Sequence, residues 1–172
     1  MASEPSKNRG FTLIELLVTI SIAAILLTVA VPNFIAFVMN SRMASQANDL
    51  IATLSFARSE AVKTGANVAV CVSSTNACPA QAAGATAWAS GWIVRDAAGT
   101  VLRRQQALSG TSTLVGNWNS VTYNANGQLG GMPVPTATIT FTLCPPAPAQ
   151  VQGRSVQIVL TGRASVSSVA CP

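Results

Sequence analysis

The feature that most constrains this chain is an uninterrupted apolar run from Phe11 to Val31, FTLIELLVTISIAAILLTVAV, in which Glu15 is the only charged residue. An α-helix rises 1.5 Å per residue, so these 21 residues would span roughly 31 Å, about the hydrocarbon thickness of a bilayer. The run therefore predicts a single membrane-spanning helix over residues 11–31.

The flanks of this run predict its orientation. Residues 1–10 are short and polar and carry Lys7 and Arg9. Positive charges favour the cytoplasmic side of a membrane, so we expect a cytoplasmic N-terminus and an exported C-terminal part. A cleaved secretory signal has a shorter apolar core of about 7–15 residues and a small-residue cleavage site, which do not fit this run.

The position of Glu15 argues against a plain signal anchor, because a carboxylate in lipid costs several kcal/mol and is by default functional. The stretch from Arg9 to Glu15, RGFTLIE, resembles the class III signal of type IV pilins and pseudopilins. The resemblance implies that a prepilin peptidase cleaves residues 1–10 off between Gly10 and Phe11 and methylates the new amine of Phe11. It also implies residence in a bacterial inner membrane with a periplasmic domain, followed by entry into a pilus or pseudopilus.

Cleavage would give this motif an assembly mechanism. The new amine at Phe11 is positive and lies in or near lipid, where the Glu15 carboxylate of a neighbouring subunit can neutralise it. The two charges cost less together than apart in lipid. We therefore expect other pilins as partners, with Phe11 and Glu15 setting the register between subunits.

A second helical half, residues 32–64, is predicted beyond the membrane run. Pro32 removes one backbone hydrogen bond and should bend the helix, as the proline at this place does in similar pilins. Gly65 is a natural C-cap for this helix, and Lys63 lies in its last turn. Apolar residues recur at steps of three and four, namely Phe34, Phe37, Met43, Ala47, Leu50, Ile51, Leu54, Ala57 and Ala61.

Residues 65–172 have the pattern of an exported β-rich domain. Alternating and β-branched segments predict strands, at 67–72, 88–95, 100–105, 113–115, 120–123, 136–144 and 155–161. Residues 73–84 and 145–152 are predicted loops, Asn126-Gly127 a tight turn, and the chain after Gly162-Arg163 a tail. The fold class is α+β, a long helix packed on antiparallel sheets as in pilins.

Four cysteines, Cys71, Cys78, Cys144 and Cys171, follow the membrane segment. An even number in an exported domain predicts two disulfides, for which three connectivities exist. We favour Cys71–Cys78, which closes a local loop, and Cys144–Cys171, which fixes the C-terminal segment. A structural zinc is the alternative, and the lack of a C-x-x-C pair argues against it.

The domain itself resembles the GspH/FimT/FimU family. The resemblance rests on Leu54–Ala61 (LSFARSEA), Cys71, Trp88 with Gly91–Val94, Asp96, Gly99 and Leu102-Arg103, and Gly153-Arg154 through Gly162-Arg163 to Cys171. It implies a minor pilin of the type IV pilus or the minor pseudopilin H of type II secretion. Both are thought to lie near the filament tip and to help start assembly.

Catalysis is not expected. The chain has no histidine, which removes the commonest general base, and neither a nucleophile motif nor a metal-binding cluster occurs. Asp49 and Glu60 are 11 residues apart on one helix, roughly 16 Å, too far for a carboxylate pair. We expect no cofactor and no metal, and Lys63 as a helix cap rather than a base.

Nucleic acid is the open question about partners. After Val38 the chain contains eight Lys or Arg and only three acidic residues. This excess of positive charge favours anionic partners, or it serves solubility alone. Some FimT-type pilins bind DNA through a Gly-Arg-x-Arg segment, of which Gly162-Arg163 retains the first arginine and Gly153-Arg154 is a second half-motif. Candidates for contacts with double-stranded DNA in its uptake are Arg154, Arg163, Arg103, Arg104 and Lys63, and the alternative is that these arginines only face solvent. Trp88, Trp92 and Trp118 would stack on bases or fill the core.

Overall fold

The structure is a computed structural model that describes residues 11–73, 75–131, 138–147 and 151–171. Gly10 and the rest of the predicted leader lie outside the described residues. The chain divides into two units, the first ending at Phe37 and the second beginning at Val38, and each is described by itself.

The first unit contains the start of helix α1, which runs from Leu13 to Thr64. The helix begins two residues after Phe11 because Thr12 caps it, its Oγ1 accepting a hydrogen bond from the Glu15 N–H at 3.2 Å. Three hydroxyls in the apolar run donate to carbonyls three or four residues earlier, which satisfies them inside the helix. They belong to Thr19, Ser21 and Thr28.

By length and composition α1 is the one helix of the described chain that could cross a membrane. It continues through Pro32, and the Asn33 Nδ2 donates to the Val29 carbonyl at 3.0 Å on the adjoining turn. The bend expected at Pro32 stays a prediction. Gly65 follows the last residue with a φ of +64°, the left-handed conformation in which helices commonly end.

The second unit buries one face of α1. The predicted apolar stripe forms the buried face of the helix from Met43 to Ala61. Six of its members are buried there, namely Met43, Ala47, Leu50, Leu54, Ala57 and Ala61. The prediction is wrong for Phe34 and Phe37, which are 67% and 69% exposed. Periodicity alone does not tell which turns of a helix are covered, and here burial begins only at Met43.

Within the described residues, ten strands form two five-stranded sheets, and all their pairings are antiparallel. The first sheet has the order β4-β3-β1-β6-β7 and consists of β1 (Val68–Val72), β3 (Trp92–Asp96), β4 (Val101–Gln105), β6 (Ser120–Tyr123) and β7 (Leu129–Gly130). The second has the order β10-β9-β8-β5-β2 and consists of β2 (Ala83–Ala87), β5 (Thr113–Trp118), β8 (Ile139–Cys144), β9 (Gly153–Ile158) and β10 (Ala164–Val169). The predicted α+β class is confirmed.

The core of the second unit is a cluster of aliphatic and aromatic side chains from the helix and both sheets. Trp88 meets Phe141 edge to face, with ring centroids 4.9 Å apart, and the Trp88 Nε1 donates to the Trp118 carbonyl at 2.8 Å. Trp88 and Trp92 are fully buried and Trp118 is 8% exposed. Base stacking by the three tryptophans is therefore excluded in this fold.

Several predicted strand limits are wrong. The expected loop 73–84 contains the start of β2, whose Ala, Gly and Thr carry a weak strand signal, and the expected tail is β10. The predicted strand 88–95 begins only at Trp92, because the chain turns before it at Gly91, where φ is +106°. The strand expected at 155–161 lies at 153–158. Residues 136 and 137 lie outside the described residues.

Two disulfides join Cys71 to Cys78 and Cys144 to Cys171, with Cα atoms 5.5 and 5.8 Å apart. The second fastens the chain beyond β10 to the end of β8 and passes over Gly153. A Cβ at Gly153 would lie 2.4 Å from the Leu143 carbonyl oxygen and 2.5 Å from the Cys171 Sγ. Only glycine fits at this crossing.

Candidate functional site

The first candidate site is the start of α1. The Glu15 backbone is held by the Thr12 cap, and its side chain is exposed. Within residues 11–73 and the other described ranges, no group lies within hydrogen-bonding distance of the Glu15 carboxylate. Phe11, four residues earlier, is 82% exposed. An unpaired carboxylate at the end of an exposed apolar helix is suited to hold a cation from another molecule.

Apolar side chains surround this carboxylate on the same helix. The large hydrophobic residues of the first unit are all about half exposed or more, among them Leu13, Ile14, Leu16, Leu17, Ile20, Ile25, Leu26 and Val29. Nothing within the described chain covers them. Their exposure fits burial in lipid or against the helices of other subunits.

The second candidate site lies at the other end of α1, where Arg58 ties two turns to the helix. Its Nε donates to the Gly127 carbonyl at 2.9 Å and its Nη2 to the Thr161 carbonyl at 3.0 Å. A Cβ at Gly162 would lie 2.1 Å from the Gly127 carbonyl oxygen, so the two turns are in backbone contact. Sequence reasoning missed this role of Arg58. The available signal was an arginine adjoining the apolar stripe, beside Ala57 and Ala61.

A surface depression of about 640 Å³ lies beside this contact. Among its lining residues are Ser55, Arg58, Lys63, Tyr123, Gly162 and Arg163. Two of the five cationic residues predicted to contact DNA, Lys63 and Arg163, thus line this depression together with Arg58. The Lys63 ammonium lies 3.3 Å from the Glu60 carboxylate in an exposed pair, which offsets part of its charge.

The other three candidates lie elsewhere. Arg154 lies on β9, four residues before Ile158, the end of the strand that is nearer the depression. At about 3.4 Å per residue, Arg154 is about 14 Å from that end. It lines a separate depression with Ala44 and Asn48 of α1. Arg103 lies over the Phe56 ring, 6.0 Å from its centroid, and Arg104 donates to Thr75 and Asn76. The fold therefore does not collect the five candidates into one patch.

Tyr123 forms part of the wall of the depression and is fully buried. Burial raises the pKa of its hydroxyl above the ordinary value, and the nearby Arg58 charge opposes this only in part. Tyr123 therefore stays neutral at physiological pH, and the charge of the depression comes from its cations. Within the described residues, no group of three or more His, Cys, Asp or Glu is arranged to hold a metal ion.

Comparison with family models identifies both halves of the chain. A model described as "Type II transport protein GspH" matches residues 46–162, and one described as "Prokaryotic N-terminal methylation motif" matches residues 5–31. Among curated proteins, the type IV major pilin protein PilA of Myxococcus xanthus (strain DK1622) is 46% identical over 44 residues. That match covers 26% of this chain and 20% of the relative, so the chain spans about a fifth of that protein's length.

Solved structures extend the likeness over most of the chain. The type IV minor pilin FimU of Pseudomonas aeruginosa (strain PAO1) superposes with a TM-score of 0.58 at 25% sequence identity, covering 76% of this chain and 92% of FimU. A second crystal form of FimU gives a TM-score of 0.54 at 26% identity, with 72% and 91% covered. Both superpositions thus extend over more than two thirds of this chain.

Proposed function

This chain belongs to the GspH family of type IV pilin-like proteins, and from that membership we propose that it is a minor pilin acting at the tip or initiation complex of a type IV pilus. Members of such families are structural subunits that assemble with other pilins and are processed by prepilin peptidase. We propose in addition that this chain has no catalytic activity, that it is cut between Gly10 and Phe11, and that Phe11 is methylated.

The observation that carries the proposal is the carboxylate of Glu15, which lies within an exposed apolar helix and has no partner among the residues that the structure describes. A protein that acts alone would leave both the charge and the apolar surface uncompensated in the membrane. A filament supplies the missing groups, namely apolar helices of neighbouring subunits and the N-terminal amine of one of them. The second unit, Val38 onward, has its own core and would be displayed on the periplasmic side of the inner membrane before assembly.

Filament entry tests the proposal directly. The full chain with an internal epitope tag is produced in cells that make its natural filament, and pili sheared from the surface are compared with the membrane fraction. We expect the tagged chain in the pilus fraction, shortened by its first ten residues and carrying a methylated Phe11. A strain lacking prepilin peptidase is the matched control and should retain the uncut form in the membrane.

The same experiment separates the pilus from a secretion machine, which the GspH description equally allows. If the chain is absent from sheared pili and its deletion instead stops export of folded proteins through the outer membrane, it is a pseudopilin and the pilus assignment is wrong.

A second candidate function is capture of double-stranded DNA during uptake, and the meeting of Arg163 with Lys63 and Arg58 around one depression favours it. Phosphate contacts from such cations give affinity that is independent of base sequence and falls with salt. The exposed pair between Lys63 and Glu60 weakens this candidate.

Gel retardation of duplex DNA by residues 38–172 tests it. If DNA is a ligand, the domain retards DNA at low salt, and Arg163→Ala weakens binding at least threefold. Arg154→Ala, which changes an arginine outside the depression, should leave binding within a factor of two. No retardation at 50 mM salt, or equal losses from the two variants, would remove this function from the depression.

A further inference from the structure

The two sheets have four edge strands, and three of them carry features that discourage pairing with another chain. Strand β4 has a register shift against β3 and carries Arg103 and Arg104. Strand β7 has only two residues, and β2 pairs with β5 across a register shift between Ala83 and Thr86. Charges, bulges and short length are the usual devices that protect a sheet edge.

Strand β10 has none of these devices. Its sequence, Ala-Ser-Val-Ser-Ser-Val, contains neither charge nor proline, and all six residues pair with β9 without a shift. The four central residues are exposed, with Val166 at 48%, and Val166, Ser167 and Ser168 line the depression that Arg154 shares with Ala44 and Asn48 of α1. A neutral, regular and exposed edge of this length is a template for an added strand.

The backbone groups at this edge can be assigned. The Val159 N–H donates to the Arg163 carbonyl at 3.2 Å, so Arg163 and Val159 form a hydrogen-bonded pair. Hydrogen-bonded pairs alternate along an antiparallel ladder, so Ser165, Ser167 and Val169 bond to β9. Ala164, Val166 and Ser168 then direct their N–H and C=O groups to the open edge.

Both ends of β10 are fixed. Beyond its C-terminal end, Cys171 is joined to Cys144 of β8, and before its start the turn at Gly162 is held through Arg58. An edge that is already ordered loses little conformational entropy when a partner strand binds. The disulfide and the Arg58 contact therefore prepare β10 for pairing.

We infer that β10 is the edge at which another pilin-type subunit adds an extended strand, an inference that rests on the proposed function. A strand of six residues buries far less than the roughly 800 Å² per partner of a stable soluble complex. A partner must therefore be held alongside by other contacts. A subunit anchored in the same membrane by its own helix meets this need, because tethering raises its effective concentration.

The charges near β10 indicate which charge pattern the partner strand should have. Arg163 directly precedes β10, and Arg154 lies opposite Ser168 and donates to its Oγ at 3.4 Å. The six residues of β10 itself are neutral. The fitting segment is thus extended and neutral in its centre and carries an acidic residue near one or both ends.

Photo-crosslinking in membranes of the filament-producing cells tests the inference. The full chain carries p-benzoylphenylalanine in place of Ser167, and the control carries it in place of Leu102 on the protected edge β4. We expect at least fivefold more crosslinked product from position 167. Mass spectrometry should place the crosslink in an extended segment of a different subunit that has its own N-terminal methylation motif. Equal yields, a product of two copies of this chain, or a partner without that motif would overturn the inference.

A second change in the crosslinking chain tests the backbone pairing. Val166→Pro removes an N–H that faces the open edge and breaks no bond to β9, so it should lower the crosslink at least fivefold. Val166→Thr keeps the N–H and should stay within twofold of the parent chain. If the proline lowers the melting temperature of the 38–172 domain by more than a few degrees, Val166→Lys replaces it, because a charge on the edge should have the same effect. An undiminished crosslink in the chosen variant contradicts strand addition.

The two proposals fail differently. Normal entry of the parent chain into pili without a crosslink at position 167 removes only the β10 contact. Absence of the parent chain from filaments removes the proposed function.

Discussion

Replacing Glu15 by alanine is expected to lower the amount of this chain in sheared filaments at least tenfold while its amount in the membrane stays unchanged. The apolar run is sufficient for insertion, and alanine makes it more apolar. The variant lacks the carboxylate that, in the proposed assembly, neutralises the Phe11 amine of a neighbour. That amine would remain charged and unpaired in lipid, at a cost of several kcal/mol. Quantitative blotting of membrane and filament fractions measures both amounts.

Two variants separate the charge of Glu15 from its place in the first helical turn. Thr12→Ala removes the hydroxyl that caps the helix at 3.2 Å but keeps the carboxylate, so it should lower filament entry by less than threefold. Glu15→Gln keeps the size of the side chain without its charge and should resemble Glu15→Ala. Filament entry of Glu15→Gln at the parent level would show that charge pairing is not how this helix assembles.

Replacing Gly162 by alanine is expected to destabilise the 38–172 domain by about 3 kcal/mol or more, which corresponds to a fall in melting temperature of roughly 10 °C. The φ of +79° costs alanine about 1 kcal/mol. The added Cβ would lie 2.1 Å from the Gly127 carbonyl oxygen, so the two turns must separate. Their separation would break the hydrogen bonds that Arg58 donates to Gly127 and Thr161.

Gly65→Ala is the matched control for this effect. Gly65 has a φ of +64°, and no atom lies within 4 Å of the position a Cβ would take. This variant therefore has the backbone strain without the collision and should lower the melting temperature by only about 3 °C. Thermal unfolding followed by circular dichroism compares the two. Equal falls would mean that the contact between the turns contributes nothing to stability.

The parts of the fold that the sequence predicted well are those set by local patterns. The apolar helix, its end at Thr64 and the turn at Asn126-Gly127 depend on neighbouring residues, and the structure has the helix end at Thr64 with Gly65 after it. Strands β2 and β10 were missed because Ala, Gly and Ser have weak strand preferences, and β7 was missed because it has only two residues. Strand β2 is fixed by pairing with β5, which is distant in the sequence, and β10 by pairing with the adjoining strand β9 across the turn at Gly162.

The candidate sites differ in the same way, because one is defined by a local sequence motif and the other by the fold. Phe11 and Glu15 belong to one short motif, and their role in assembly is predicted from that motif alone. The depression was not predicted, because Arg58 and Arg163 come together only through the turns at Gly127 and Gly162. Nor could composition tell that Arg103 and Arg154 lie in other places. A basic composition predicts the sign of a surface and leaves its shape undetermined.

In the described chain, full burial begins at Met43 and Met39 is the first side chain that packs against the core of the second unit, so this core uses no side chain from residues 11–38. A substitution in that core therefore has no direct effect on the apolar helix, and a change in the helix need not unsettle the core. The two halves can accumulate substitutions under separate selection. A lineage of such subunits can keep one common rod for entering a filament while the domains displayed on it diverge.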